Sequence, residues 1–261
     1  MGRGCIPALR LFRLPSCAVA FLTVFVPTYS HTGNLYRSLV VSIPLIPISL
    51  CTFILNDLND IERDRINHPG RPLAAGLLLP RTAAIIYFTA FAVSLAFIHF
   101  ALEEWLRYVY VAGFLLAINY NTVVDYIPTL KKPYVALAAT LPIVLVTLIV
   151  DVKPNINVLL AAFSFVLGRE LLMDIRDLKG DGSTVVRLLP PKVFTSLAFC
   201  LQGLGALSLI VAVRSPLELA AAALATILLM IITYNWKNKS YRPILLYAMK
   251  LQMLSVIAFL I

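Results

Sequence analysis

The chemistry available to this chain is concentrated in its acids. Only 13 of its 261 residues are Asp or Glu. Eight of these fall in two short runs: Asp57, Asp60, Glu62 and Asp64, then Glu170, Asp174, Asp177 and Asp181. In the first run Asn56, Asp60 and Asp64 are spaced i, i+4 and i+8, which is one face if the preceding helix continues. In the second run Asp174, Asp177 and Asp181 are spaced i, i+3 and i+7, again one face, and Gly180 and Gly182 mark the expected helix end. Carboxylates crowded on one face repel, so something positive must offset them. Hard oxygen donors from two facing helices suit Mg²⁺, which keeps several waters and bridges protein carboxylates to phosphate oxygens. Arg63, Arg65, Arg71, Arg176 and Lys179 are interleaved with the acids and suit a diphosphate. Solvated Asp–Arg pairs in ordinary loops would account for either run alone. They account poorly for two matched runs that hold most of the acids in the chain.

The elements that carry these runs are apolar. Hydrophobic residues make up 60% of the chain and charged residues 13%, and the mean hydropathy is +0.88. A soluble domain holds about 45–50% apolar and 25% charged residues. The composition excludes an ordinary soluble enzyme, a disordered chain and a secreted disulfide scaffold. The expected fold is all-α: a polytopic integral membrane helical bundle formed as a single domain over 1–261. A span needs about 20 mostly apolar residues. Nine stretches qualify: 14–30, 38–56, 82–102, 108–124, 133–150, 155–173, 193–213, 219–236 and 243–261. Lys250 falls in the middle of the ninth, which is costly in lipid unless it faces protein or snorkels.

Charge orients the bundle. The chain has 22 Lys and Arg and a net charge of +9, which basic loops on one membrane face explain better than a nucleic-acid partner does. With the N-terminus inside, 17 of these cations lie in inner segments and four in outer loops. The positive-inside rule then places the N-terminus and both acidic runs on the cytoplasmic side. No small-x-small cleavage site follows the first apolar stretch, so it reads as a retained helix. Cys5, Cys17, Cys51 and Cys200 form no CxxC and read as small core residues. His31, His68 and His99 are too scattered in sequence to suggest a metal site.

Taken together, these residues resemble a family. Asn56-Asp57, Asp60 and Asp64 match the NDxxDxxxD motif of the UbiA superfamily of intramembrane prenyltransferases. The likeness continues through Ile66-Asn67, Pro69, Arg71-Pro72-Leu73 and Gly76. The segment Gly168-Arg169-Glu170 through Asp174-Ile175-Arg176-Asp177 to Gly180-Asp181 resembles that family's DxxxD region, in the form associated with ether lipids, chlorophyll and prenylquinones. The resemblance implies a nine-helix bundle that binds an allylic isoprenyl diphosphate through Mg²⁺. It implies Asn56, Asp60, Asp64, Asp177 and Asp181 as ligands, with Asp57 and Asp174 in support; Asp60, Asp64, Asp177 and Asp181 are the candidate catalytic set. It also implies diphosphate contacts from an arginine opening the first span, here Arg13, and a lysine near the fourth loop, here Lys131, with Arg10 and Lys132 as rivals. Arg63, Arg71, Arg176 and Lys179 complete the cationic set. Tyr120 and Tyr126 are candidates to face the cation, although their type and position fit interfacial aromatics better.

The sequence also departs from the family pattern. Thr52-Phe53-Ile54-Leu55 stands where smaller residues and an extra Asn are common, so Phe53 would re-line the pocket if it faces inward. Pro133-Tyr134-Val135-Ala136 lacks the usual Gly-Asn. These departures bear on the acceptor, which is expected to be aromatic or lipid-like, more than on the diphosphate chemistry. A membrane terpene cyclase of the same superfamily, needing no acceptor, is the main alternative. An ion-coupled transporter would place its acids near the midplane rather than at the inner helix ends. A CDP-alcohol phosphotransferase would need an AR pair after Asp181-Gly182, where Ser183 and Thr184 stand.

Overall fold

The computed structural model describes residues 11–126, 130–178 and 190–261, with the side chains of 120–126 and 243 outside that description. The described residues form helices and no strand. In chain order these are α1 (Leu14–Thr32), α2 (Leu35–Ser42), α3 (Leu45–Asn59), α4 (Ile61–Asn67), α5 (Pro80–Ala101), α6 (Glu104–Tyr126), α7 (Lys131–Ile149), α8 (Ile156–Asp177), α9 (Pro191–Ala212), α10 (Pro216–Asn235) and α11 (Arg242–Ser255), with a 3₁₀ turn at Val256–Phe259. Proline opens α1, α5, α9, α10 and α11, where its missing N–H has no intrahelical partner to lose. Ser215 and Glu218 form a reciprocal capping box on α10.

Every apolar stretch expected to span coincides with a helix. Among the described residues, six segments are long and apolar enough to cross a membrane: Leu35–Asn59, Pro80–Ala101, Lys131–Ile149, Ile156–Asp177, Pro191–Ala212 and Pro216–Asn235. Ile244–Phe259 is a shorter apolar helix. The protein is therefore an all-helical integral membrane protein. Its outer surface carries large apolar side chains such as Phe88, Phe100 and Met230, as a lipid-facing surface requires. Polar Thr28, Ser94, Ser164, Gln202 and Gln252 are buried between helices, where small and hydrogen-bonding residues favour close helix packing. Cys17 and Cys51 are buried, whereas Cys200 stands exposed on α9.

The helices close around a cavity of about 740 Å³. Residues of α1, α3, α4, α6, α7, α8 and α11 line it, while α5, α9 and α10 pack outside. The His31 ring meets the Leu260 carbonyl at 2.9 Å, tying the end of the chain back to α1.

The tightest seam joins α8 to α9. A Cβ added at Gly168 would lie 2.7 Å from the Ala198 carbonyl oxygen, and one at Gly205 would lie 2.7 Å from the Phe165 ring. Gln202 Nε2 donates to the Phe165 carbonyl at 2.7 Å across the same seam. The glycines thus let α8, which carries the second acidic run, approach its support. Gly168→Ala must push backbone against backbone. It should destabilise the protein by about 1–3 kcal/mol in thermal unfolding in detergent. Gly203→Ala meets nothing within 4 Å and should be neutral or stabilising by about 0.5–1 kcal/mol.

Candidate active site

The first acidic run does not lie on an unbroken helix. Helix α3 ends at Asn59 and α4 begins at Ile61, with Asp60 between them at φ −98° and ψ 13°. The four-residue hydrogen-bond ladder nevertheless survives the joint. Asp60 N–H donates to the Asn56 carbonyl at 3.0 Å, Asp64 N–H to Asp60 at 2.8 Å, and His68 N–H to Asp64 at 2.8 Å. Asn56, Asp60, Asp64 and His68 therefore share one face, and all four line the cavity.

Asp57 points elsewhere. It is 3% exposed, does not line the cavity, and accepts hydrogen bonds from Arg13 and Arg71, the latter at 3.3 Å. Arg71 also reaches Asp64 at 2.6 Å. The loop after α4 makes this reach geometrically possible. Arg71 N–H bonds to the His68 carbonyl at 2.9 Å and Ala75 N–H to Arg71 at 2.8 Å, and the turn closes at Gly76 with φ 67°, a conformation open to glycine. Arg13 itself adopts φ 45° at the start of α1, which costs a non-glycine residue about 1–2 kcal/mol. Its guanidinium lies 5.2 Å from the centre of the Phe53 ring. Phe53 does face inward and lines the cavity. Burial raises the Asp64 carboxyl above its ordinary range, with Arg71 opposing the shift. Burial alone would lower Arg71, but Asp57 and Asp64 more than compensate and hold it above its usual value.

The second run faces the first across the cavity. Lys132 Nζ lies 2.6 Å from Asp174 and 3.5 Å from Glu170, and Arg169 lies 2.9 Å from Glu170. Arg176 grips Asp177 with two bonds of 2.6 Å. His68 Nε2 lies 3.1 Å from Asp177 and 3.0 Å from Arg176, so one imidazole links the two runs.

The structure brings together Asn56, Asp60, Asp64, Asp174, Asp177, Arg13, Arg63, Arg71, Lys131 and Phe53 around one cavity. Arg176 joins them through Asp177 and His68. Asp57 reaches them only through its arginines. Arg65 does not join: it makes an exposed pair with Glu62 at 2.7 Å. Asp181, Lys179 and the side chains of Tyr120 and Tyr126 lie outside the described residues. One participant, His68, was missed, and two others were ranked low. His68 looked isolated in sequence, although its i+4 spacing from Asp64 was the available signal. Lys132, ranked behind Lys131, pairs with Asp174. Glu170, counted with the acids, also faces the cavity.

Among the described residues, no group of three His, Cys, Asp or Glu side chains could hold a metal by itself. The donors on the two sides are oxygens, and each carboxylate among them lies beside a cation. That set fits Mg²⁺, which takes one or two carboxylates and completes its shell with waters and substrate phosphates. Asn56, Asp60 and Asp64 on one side, and Asp174 and Asp177 on the other, are the residues that would hold it.

The two neighbours Asp57 and Asp60 should behave differently when removed. Asp57→Ala leaves two guanidiniums beside each other and should reduce stability by roughly 3 kcal/mol. Asp60 pairs with the more exposed Arg63 at 3.1 Å, so Asp60→Ala should change stability by about 1 kcal/mol or less. Thermal unfolding in detergent distinguishes the two. Equal losses would contradict the separate structural role of Asp57.

Known proteins place the fold and the sequence. The UbiA prenyltransferase family model matches residues 14–243. A digeranylgeranylglyceryl phosphate synthase from Methanosphaera stadtmanae is 30% identical over 235 residues, covering 81% of this chain and 77% of that protein. Another, from Methanopyrus kandleri, is 26% identical over 280 aligned positions, covering 97% and 98%. The apo structure of a UbiA homologue from Aeropyrum pernix K1 superposes with a TM-score of 0.75 at 14% identity, covering 95% of this chain and 96% of that one. A UbiA homologue from Archaeoglobus fulgidus bound to GPP and Mg²⁺ superposes with a TM-score of 0.73 at 17% identity, covering 97% and 98%. The motifs, the helical fold and a family match over most of the chain agree: the protein belongs to the UbiA prenyltransferase family.

Proposed function

We propose that this prenyltransferase ionises an allylic isoprenyl diphosphate in a Mg²⁺-dependent reaction and transfers the prenyl group to a glyceryl phosphate lipid. The observation that carries the reading is the pair of acidic runs facing one another across a single cavity, each compensated by Arg or Lys. The names of the curated relatives favour a lipid acceptor over an aromatic one. The name describes a product in which geranylgeranyl groups are joined to a glyceryl phosphate. The Archaeoglobus homologue bound to GPP and Mg²⁺ supports the donor class and the metal.

The roles follow from charge. The donor diphosphate lies among Arg13, Arg63, Arg71, Lys131 and Lys132, with Arg176 and Lys179 completing the set. Mg²⁺ held by the Asp residues would neutralise charge on the leaving diphosphate. The allylic C–O bond breaks with its electron pair going to the diphosphate, whose charge the cations absorb. The acceptor hydroxyl oxygen then bonds to the allylic carbon and releases its proton to water or diphosphate. The apolar part of the cavity, lined by Val109, Gly113, Leu116, Val135 and Ala139, takes the prenyl chain and keeps water from the cation. The whole chain acts as one membrane domain with nine crossings, its N-terminus and active site on the cytoplasmic side, as the loop charges require.

Membranes containing the protein, supplied with Mg²⁺ and C10 to C20 allylic diphosphates, should release diphosphate and form a prenyl ether of an added glyceryl phosphate lipid. Chelation of Mg²⁺ should stop both. A cyclic hydrocarbon or alcohol formed without acceptor would replace this reading with a terpene cyclase, and a prenylated aromatic would replace the acceptor. Asp60→Ala and Asp177→Ala should each lower diphosphate release by about a hundredfold or more while the protein remains folded and inserted. Full activity in either variant would remove the metal-site assignment.

A further inference from the structure

Lys250 is out of place on the usual terms. It sits within the apolar helix Ile244–Phe259, where an ammonium in lipid carries a large penalty. The structure turns it into the cavity. Its Nζ donates to Ser16 Oγ at 2.8 Å and lies 5.1 Å from the centre of the Tyr247 ring. Among the described residues, no carboxylate lies within ion-pair distance of it. Arg169 lines the same cavity. Its Nη1 contacts Glu170, but its Nε is buried with no hydrogen-bond partner, and an orphaned buried donor calls for an explanation. Glu170 is shared with Lys132. Arg169, Lys250 and Arg13 lie close enough to repel one another. Arg13 shares Asp57 with Arg71, Arg169 shares Glu170 with Lys132, and no described carboxylate pairs with Lys250, so an excess of positive charge faces the cavity at this point.

The position is set back along α8 from Asp174 and Asp177 within the same cavity. Arg169 precedes Asp177 by eight residues on α8, about 12 Å along the helix axis. Lys250 comes from α11, which contributes nothing to either acidic run. An ammonium, a guanidinium N–H and a hydroxyl converging from three helices suit the oxygens of a phosphate monoester.

We propose that Lys250, Arg169 and Ser16 form a second anion subsite, which binds the phosphate of the glyceryl phosphate acceptor and so directs its hydroxyl toward the allylic carbon. This rests on the prenyl-transfer reading above. Phosphate and hydroxyl are only a few bonds apart on a glyceryl unit, so anchoring one orients the other. The apolar remainder of the acceptor lies along the cavity wall.

Kinetics with purified protein test the assignment. Lys250→Met should raise KM for the phosphorylated acceptor roughly tenfold while KM for the allylic diphosphate moves less than about twofold. The preference for the phosphorylated acceptor over its dephosphorylated glyceryl ether should fall by the same factor. Ser16→Ala, a milder change, should move both quantities in the same direction by a smaller factor. A rise in donor KM instead, or an unchanged preference, overturns the inference. Binding is read separately by thermal shift with glycerol 1-phosphate, without Mg²⁺ or donor. The shift should persist in Asp60→Ala and vanish in Lys250→Met; the reverse pattern puts the phosphate in the donor site and overturns the subsite. No shift in a wild type that does prenylate the glyceryl lipid overturns the subsite alone. A wild type that prenylates only an aromatic acceptor overturns the glyceryl-lipid acceptor reading first and the subsite's role with it.

Discussion

Charge compensation in a low-dielectric bundle is the constraint on which the rest of this structure depends. A carboxylate removed from water is tolerated only beside a cation or a metal. The protein places several carboxylates at one end of an apolar bundle and supplies each described one with a guanidinium, ammonium or imidazole. Most of these partners come from other helices or from the loop after α4: Arg13 for Asp57, Arg71 for Asp57 and Asp64, Lys132 for Asp174 and His68 for Asp177. The ion pairs therefore do two things. They offset the cost of burying the acids, and they gather several cations in one place.

The packing serves the same end. Helix α8 carries Glu170, Asp174 and Asp177, and it is held against α9 by close backbone approach at Gly168 and Gly205. On the other side, α3 stands on α5 through Leu50, Ile54 and Tyr87. The outer helices thus brace the two acid-bearing helices without lining the cavity. Rigid support matters because the opposing carboxylates have to keep their separation across the cavity.

Asp57 and Lys250 show that residue type alone does not set a role. Asp57 lies inside the motif but is turned away from the cavity, where it holds Arg13 and Arg71 in place. Lys250 lies outside every motif and faces the cavity. The structure separates them by which helix face each occupies and by which neighbours have been folded against it.

From its sequence alone this protein was legible as a polytopic helical bundle, since 60% hydrophobic residues in stretches of span length leave no other stable arrangement. The two acidic runs and the family could also be read from local features, because spacing along a helix sets which residues share a face. The tertiary structure decided the rest. The linking of the runs through His68, the pairing of Asp174 with Lys132, and the convergence of Ser16, Arg169 and Lys250 all join residues far apart in sequence. No local period encodes such contacts. They arise when helices bury their faces against one another and each buried charge meets the nearest opposite charge or hydrogen-bonding group.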